Sequence, residues 1–485
     1  MTTLPIPIDR GAATPLHRQI YEGLRQAIVD GLLRPDQRVP STRALAADLA
    51  ISRQPVLVAY EQLLHEGYLD GRRGSGTYVS KALPDELLRS RPAPEPVQAG
   101  CGIVAESAAR DEGGLKPFRM SLPALDLFPQ RLWATLVARH ARSLSHTDMA
   151  YGDPAGAPAL RAAIAGYLRA TRAVRCEAAD VLVVSGSQAA LRLVAGVLLR
   201  AGDSVAVEEP GYPGARAALA AGGATLVSVP LDAEGMSPAA LGRLEGSVRA
   251  AYVTPSHQYP LGTLMTAARR LALLGWAARQ DAWLLEDDYD SEYRYVSRPL
   301  GALQGMNDDA RDRVIYIGTF SKVLFPAVRI GYLVVPPALR RRFVEAREAF
   351  DLFSPTLYQL ALADFLSEGH VERHLRRMRR AYMERRRALL RGLARHCDRY
   401  LRLVNADGGL HVTTLLAAGL DETDVMRRLA ARGLAATPLS SCYAGESAPG
   451  GLLLGFGGWS ERRLAAATRV LGEVLEAAWA GIRLD

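Results

Sequence analysis

Lysine is nearly missing from this chain. Of its 59 basic residues only three are lysines, Lys81, Lys116 and Lys322. Guanidinium carries a positive charge as well as ammonium does, but it cannot act as a primary amine. A lysine kept in an arginine background therefore draws attention to amine chemistry, and Lys322 lies outside the Pro- and Gly-rich stretch that holds the other two. Cysteine is also sparse. The four (Cys101, Cys176, Cys397 and Cys442) show no CxxC pair, which fits a reducing compartment and argues against a structural zinc site. No run approaches the ~18 apolar residues of a membrane span. The opening MTTLPIPIDRGAATPLHRQ has no apolar signal-peptide core, so a cytoplasmic location is expected.

What is present is length, 485 residues, nearly half of them apolar, and a net charge of +8. Two or three domains are expected. The positive charge is not spread evenly. Residues 1–80 hold nine Arg against eight acids, whereas residues 371–402 hold twelve Arg against three acids. In that second stretch Leu375, Met378, Tyr382, Leu389 and Leu393 recur at helical spacing. The pattern predicts a solvated amphipathic helix, with DNA contact as the alternative.

Residues 12–80 read as a compact unit. Leu16, Ile20, Leu24 and Ile28 mark a first helix. Ser41 is placed to cap a second, with Leu45 and Leu49 inside. A third runs to about His65 with Val56, Ala59, Tyr60 and Leu63 inward, and YLDGRRGSGTYV turns as a hairpin. Three helices and a hairpin predict a winged helix-turn-helix (α+β) domain whose third helix enters the major groove of double-stranded DNA. Residues 81–117 (RSRPAPEPVQAG, ESAARDEGG) read as a linker. From 118 to 485 helices alternate with short apolar strands: 181–186, 204–210, 225–230, 250–255, 283–288, 314–319 and 330–335. This predicts an α/β domain with a largely parallel buried sheet, followed by a smaller α+β subdomain.

The N-terminal segments PLHRQIYEGLRQAIVDGLL, RVPSTRALAADLAISR, VLVAYEQLLHEGYL and RGSGTYV resemble the GntR-type winged helix. The resemblance implies that Arg43, Ser52, Arg53 and Gln54 lie near DNA, with the wing Arg72–Gly76, including Gly74, over the backbone or minor groove. Where relatives carry a polar residue and threonine, this chain has Gln54-Pro55. Proline is tolerated in a helix's first turn, but a hydroxyl is lost. The segments YGDPAGAPALR, SGSQAALRL, EEPGYPGAR, TPSHQYPLG, EDDYDSEYRY and GTFSKVLFPAVRIGYL resemble, in order, the fold-type I aminotransferases. Together with the GntR-like unit they resemble the MocR family of regulators across nearly the whole chain.

That resemblance implies a pyridoxal 5'-phosphate (PLP) site. Lys322 supplies the amine that condenses with the PLP aldehyde. Asp287, chosen over its neighbours Glu286 and Asp288 by the Asp-x-Tyr spacing, would pair with the pyridinium nitrogen. Tyr289 would bond the phenolic oxygen and Tyr212 would stack on the ring. Ser187 and Gln188 at a helix N-terminus, with Thr319, Ser321 and Arg329, would hold the phosphate. Tyr151 would reach the phosphate of a second subunit, which implies a homodimer. At the turn where aminotransferases place an asparagine against the phenolic oxygen this chain has Tyr259; His257 or Gln258 could remake the contact, or lie in the loop. The segment SCYAGESAPGGLLLGFG offers no arginine for a substrate carboxylate. Arg216 could grip an effector or sit on a helix surface. The expected function is a PLP-binding transcription regulator that senses PLP or an amine, controlling vitamin B6 synthesis or amine and amino-acid metabolism. The alternative is an active aminotransferase carrying a DNA-binding domain. Neither a catalytic metal nor a membrane partner is expected.

Overall fold

The computed structural model describes residues 7–12, 14–72, 74–81, 83, 115–244, 247–295, 300–306, 312–405, 407–445 and 448–482. The chain divides into two compact units, 1–104 and 105–485. Most of the expected linker, residues 84–114, lies outside the described residues, as does Arg73 of the wing.

In the first unit, α1 (Leu16–Val29), α2 (Thr42–Asp48) and α3 (Arg53–His65) precede the antiparallel pair β1 (Leu69–Arg72) and β2 (Gly76–Val79). Ile20, Leu24, Ile28, Leu45, Val56, Ala59, Tyr60 and Leu63 are buried together, which is the stripe that the spacing predicts, while Leu16 and Leu49 are half-buried at its margin. The Ser41 Oγ accepts from the Ala44 N–H at 3.2 Å, a cap that starts α2. Ala50 takes φ +51° in the turn to α3, and Pro55 falls in the first turn of α3, where its missing N–H costs nothing.

The second unit is built on an eight-stranded sheet, counted among the described residues. Its strands are β3 (Val181–Val184), β4 (Ser204–Glu209), β5 (Thr225–Asp232), β6 (Gly235–Met236), β7 (Val248–Val253), β8 (Trp283–Asp288), β9 (Val314–Thr319) and β10 (Gly331–Val334). They lie in the order β3-β10-β9-β8-β7-β4-β5-β6. The pairs among β5, β4, β7, β8 and β9 are parallel; β10 runs antiparallel to both neighbours, and β6 to β5. All seven strands expected from the sequence are present. Strands β3, β7, β8, β9 and β10 are buried almost throughout because helices cover both faces, whereas β5 toward an edge is mostly exposed or half-buried. Two core clusters meet across the sheet, one holding Val183, Tyr316 and Tyr332, the other Leu182, Ile315, Ile317 and Leu333.

A smaller antiparallel sheet follows: β11 (Leu401–Asn405), β12 (His411–Leu416), β13 (Thr437–Pro438) and β14 (Gly451–Gly455), in the order β11-β12-β14-β13. The arginine-rich stretch forms a long helix, His370–His396, which buries Leu375, Met378, Tyr382, Leu389 and Leu393 as the spacing predicts. One of its arginines is not on the solvated face. Arg385 is buried, donating to the Gly457 carbonyl at 2.5 Å and to Asp126 at 2.6 Å.

Residues 117–124 form a strap that bonds the smaller sheet at one end and the Tyr382 hydroxyl at the other. Ala435 N donates to Pro117 O at 2.9 Å and Gly455 N to Phe118 O at 2.8 Å. The glycines of the GFGG run make room for this strap: a Cβ on Gly455 would stand 2.2 Å from Arg119 O, and one on Gly458 2.6 Å from the Leu122 side chain.

Candidate functional sites

The carboxyl ends of β7, β8 and β9 and the turns after β3 and β4 converge on a cavity of about 190 Å3. It is lined by Ser187, Gln188, Tyr212, Asp287, Tyr289, Thr319, Ser321, Lys322 and Arg329, which are nine of the ten residues expected to hold the cofactor, and by Ser121, Tyr252, Thr254, Tyr259 and Pro326. Ligands of open α/β sheets settle at such strand ends. Tyr151 does not line this cavity. It is 83% exposed and meets Phe353 edge to face at 6.2 Å.

Strand pleating separates the three consecutive acids of β8. Glu286 accepts the backbone N–H groups of Leu303 at 2.8 Å and Gln304 at 2.9 Å. Asp288 is buried against Arg172 at 2.7 Å and accepts the Tyr316 hydroxyl at 2.5 Å. Both are committed to the fold. Asp287 alone reaches the cavity. Its Oδ2 accepts the Tyr252 hydroxyl at 2.7 Å, and its Oδ1 is buried with no partner. Burial pushes this carboxyl up to about 7. Lys322 is displaced the other way, down to about 8, again because burial disfavours the charged form. Its Nζ donates to Ser121 O at 3.2 Å.

At the opposite end, Gly186 opens the helix Ser187–Leu198 with φ +93°, a conformation that suits glycine. A Cβ there would stand 3.1 Å from the Arg329 guanidinium. Arg329 donates to Ser185 O at 2.5 Å, and Thr319 Oγ1 to Ser321 Oγ at 3.1 Å. A helix N-terminus, two hydroxyls and a guanidinium thus face one end of the cavity. Gln188 donates to the Tyr212 hydroxyl at 3.2 Å, which orients the ring along a side wall. The donor set fits PLP: an orphaned carboxyl oxygen for the ring nitrogen, an amine for the aldehyde and an anion cradle for the phosphate.

The turn 255–262 resolves the two candidates for the missing asparagine. Gln258 is occupied by the carbonyls of Pro210 at 2.9 Å and Tyr259, and by Glu208 at 3.2 Å, and does not line the cavity. His257 stands behind the wall, 2.9 Å from the Tyr289 hydroxyl. Arg216 is engaged as well: it pairs with Glu209 and donates to Glu208 O at 2.8 Å and Ser228 Oγ at 3.1 Å. Sequence reasoning missed Tyr252, Thr254 and Ser121. Tyr252 and Thr254 follow the pleat of β7 at alternate positions, a signal that could have found them. Ser121 carries none.

In the first unit Arg43, Ser52, Arg53 and Gln54 are exposed around the α2–α3 turn, and Ser52 opens α3 without using its hydroxyl as a cap. Arg53 Nε donates to Thr42 Oγ1 at 3.1 Å and so ties α3 to α2. In the wing, Gly74 takes φ +73°, while Arg72 pairs with Asp36 and stacks over the Tyr78 ring at 4.3 Å.

A half-buried lysine sharing a cavity with an orphaned carboxyl at the strand ends of a mostly parallel sheet, with an antiparallel subdomain after it, defines a fold-type I aminotransferase-like domain; the other unit is a winged helix. Residues 128–462 match the family of aminotransferases class I and II, and residues 16–79 match the bacterial regulatory proteins of the gntR family. The chain is 42% identical to the probable rhizopine catabolism regulatory protein MocR of Rhizobium meliloti, over 93% of this chain and 92% of that one. It is 35% identical to the pyridoxine biosynthesis transcriptional regulator PdxR of Corynebacterium glutamicum, over 98% of this chain and 99% of that one. Among solved structures, LysN, the α-aminoadipate aminotransferase of Thermus thermophilus in complex with N-(5'-phosphopyridoxyl)-L-leucine, superposes with a TM-score of 0.70 at 31% identity, covering 76% of this chain and 94% of LysN. The chain belongs to the MocR-type transcription regulators, in which a GntR winged helix is fused to a class I and II aminotransferase domain.

Proposed function

We propose that this regulator holds PLP in the Lys322 cavity and reads PLP itself, or an amine captured by it, as the signal that sets its affinity for promoter DNA, without efficient turnover. The observation that carries the reading is the pairing of Lys322 with the unpartnered Oδ1 of Asp287 across one cavity, in a chain that also bears a winged helix. Bound there, PLP supplies an aldehyde that captures primary amines and an electron-withdrawing ring. The chain's own residues do the holding. Asp287 would keep a proton on the ring nitrogen, Tyr212 would stack on the ring, Tyr289 would donate at the phenolic oxygen, and Ser187, Gln188, Thr319, Ser321 and Arg329 would hold the phosphate. The exposed Tyr151 is supplied to the phosphate of a second copy, so the working form is a homodimer that presents two winged helices to two promoter half-sites. Arg43, Ser52, Arg53, Gln54, Arg72 and Gly74 face the DNA, and the protein works in the cytoplasm.

Catalysis needs binding that strengthens in the transition state, whereas a sensor needs only unequal affinity for two conformations. Switching from mostly off to mostly on takes roughly 10⁴-fold discrimination, a magnitude that a covalent bond plus a phosphate clamp supplies. The absence of an arginine from the segment SCYAGESAPGGLLLGFG, where aminotransferases hold a substrate carboxylate, supports the non-enzymatic reading, and Arg216, already paired with Glu209, is not free to grip an effector. The deciding experiment is a promoter-binding titration with and without PLP, then with candidate amines, run beside a steady-state transamination assay. A change in promoter affinity with little turnover supports the sensor. Turnover at ordinary enzyme rates of roughly 1–10³ per second, with promoter affinity indifferent to cofactor and amines, makes the protein an aminotransferase with a DNA tether.

A further inference from the structure

Tyr289 stands between two hollows. One is the Lys322 cavity. Behind it lies a second space of about 200 Å3, lined by His257, Asp290, Arg294, Asp407, Gly408 and Gly409 among others. Nδ1 of His257 lies 2.9 Å from the Tyr289 hydroxyl and 3.1 Å from Oδ1 of Asp290. Both residues are sequestered, His257 at 7% exposure and Asp290 at 2%.

With Asp290 taken as a carboxylate, the hydrogen-bond inventory of these groups selects one direction. A carboxylate only accepts. To bond Asp290, Nδ1 must therefore carry its proton, whether or not Nε2 also carries one. A nitrogen that carries a proton cannot accept the phenolic O–H. The Tyr289 oxygen thus shares the Nδ1–H as an acceptor, and its own proton is left to point elsewhere, toward the cavity.

We propose that His257 and Asp290 are positioning residues that lock the Tyr289 hydroxyl as a donor into the Lys322 cavity, aimed at the phenolic oxygen of PLP. The inference rests on the PLP-binding reading above. The smaller subdomain holds the lock in place. Gly409 takes φ +68°, and a Cβ there would stand 2.2 Å from Cε1 of His257 and 2.6 Å from Oδ2 of Asp290, so only glycine lets this backbone close on the pair. His411 faces His257 with ring centroids 5.5 Å apart, and its Nε2 lies 3.2 Å from the Pro260 carbonyl. Burial holds His411 down at about 4, so it brings no charge at neutral pH. Among the described residues, the other charged groups near the pair include Arg294 and Asp407 in the same space, with Lys322, Asp287 and Glu208 toward Tyr289.

The test is spectroscopic and uses the full-length chain reconstituted with PLP. A donor on the phenolic oxygen stabilises its anionic form and lowers the pH midpoint of the lysine–cofactor adduct's absorption change. Tyr289→Phe removes the donor. His257→Phe and Asp290→Asn remove the lock. All three raise the midpoint, the lock variants by about one pH unit and less than Tyr289→Phe. The double variant adds nothing to either lock variant alone, because both act through one hydroxyl. His257→Asn, whose amide N–H can stand near the position of Nδ1–H, restores the wild-type midpoint at least in part. A midpoint that moves with Asp290→Asn but not with His257→Phe overturns the proposal, since Asp290 would then act by charge on Lys322. So does a midpoint that moves with Tyr289→Phe alone. If the wild-type chain forms no adduct at all, it is the PLP reading that fails.

Discussion

The Tyr252 hydroxyl donates to one oxygen of Asp287 at 2.7 Å and leaves the other buried without a partner. The pair therefore holds the carboxyl rigidly and half-satisfied, which is costly in the cofactor-free protein and useful once a ring N–H arrives. Its titration follows from that cost. Asp287 is raised by burial from 3.8 to about 7, so the folded chain binds a proton that the unfolded chain releases. The stability tied to this group is present below the unfolded value and is lost as pH rises through the folded one. Cofactor-free protein should lose thermal stability between about pH 4 and pH 7, by up to about 1.4 kcal/mol per pH unit crossed for each such group. Glu208 and Glu292, also pushed up to about 7 by burial, contribute in the same sense. Thermal melts across this range should show a shallower fall for Asp287→Asn; an unchanged slope would mean that Asp287 is ionised in the folded chain.

Lys322 reacts as the neutral amine, and burial brings it down to about 8. The rate at which cofactor-free protein captures PLP should rise with pH and level off above about 8, as followed by the growth of visible absorbance. Borohydride should then fix the cofactor to Lys322. Lys322→Arg keeps the charge but cannot condense, so retention of the visible band in that variant would reassign the attachment site.

Asp288 is set against Arg172 in the core, the two side chains 1% and 4% exposed. Removing one member of a buried pair strands the other, at a typical cost of about 3–5 kcal/mol. Asp288→Ala should therefore shift the urea midpoint of the cofactor-free protein far more than Asp287→Ala does, although the residues are adjacent. Equal shifts would contradict the division of roles along β8.

On the winged helix, Arg53 and Arg72 should separate by type of effect. Arg53→Ala at the start of α3 should erase preference for the promoter over unrelated duplex, by about 1–3 kcal/mol. Arg72→Ala in the wing should weaken all sequences alike and flatten the salt dependence by about one counterion. Footprints on the promoter, and binding isotherms at several salt concentrations, distinguish the two.

Much of this was legible in the sequence because the signals were periodic or chemical. The stripe Ile20, Leu24, Ile28 repeats at helical spacing, the short apolar strands are bounded by turn residues, and one of only three lysines falls in a GTFSK context outside the linker. The rest depended on which way a side chain points once strands are in register. Glu286, Asp287 and Asp288 are interchangeable as letters; pleating and the placement of Arg172 divide them. Gln258 and His257 sit side by side in one turn, yet Gln258 is consumed by the carbonyls of Pro210 and Tyr259 while His257 turns toward Tyr289. The resemblance places Arg72 in the glycine-rich wing, but not its pairing with Asp36, far from it in sequence. Long-range partners of this kind leave no local trace.

The strap of residues 117–124 has a mechanical consequence. Its first residues are moored to the antiparallel sheet through Pro117 O and Phe118 O, and its backbone is pinned by positive φ at Phe118 and Ser121, +70° and +65°. Four residues beyond the first mooring, Ser121 O receives the amine of Lys322. The stretch that carries the Lys322 hydrogen-bond acceptor is therefore anchored on the smaller subdomain rather than on the large sheet. Whatever shifts Pro117 or Phe118 against the antiparallel sheet thereby shifts the carbonyl that the reactive amine bonds.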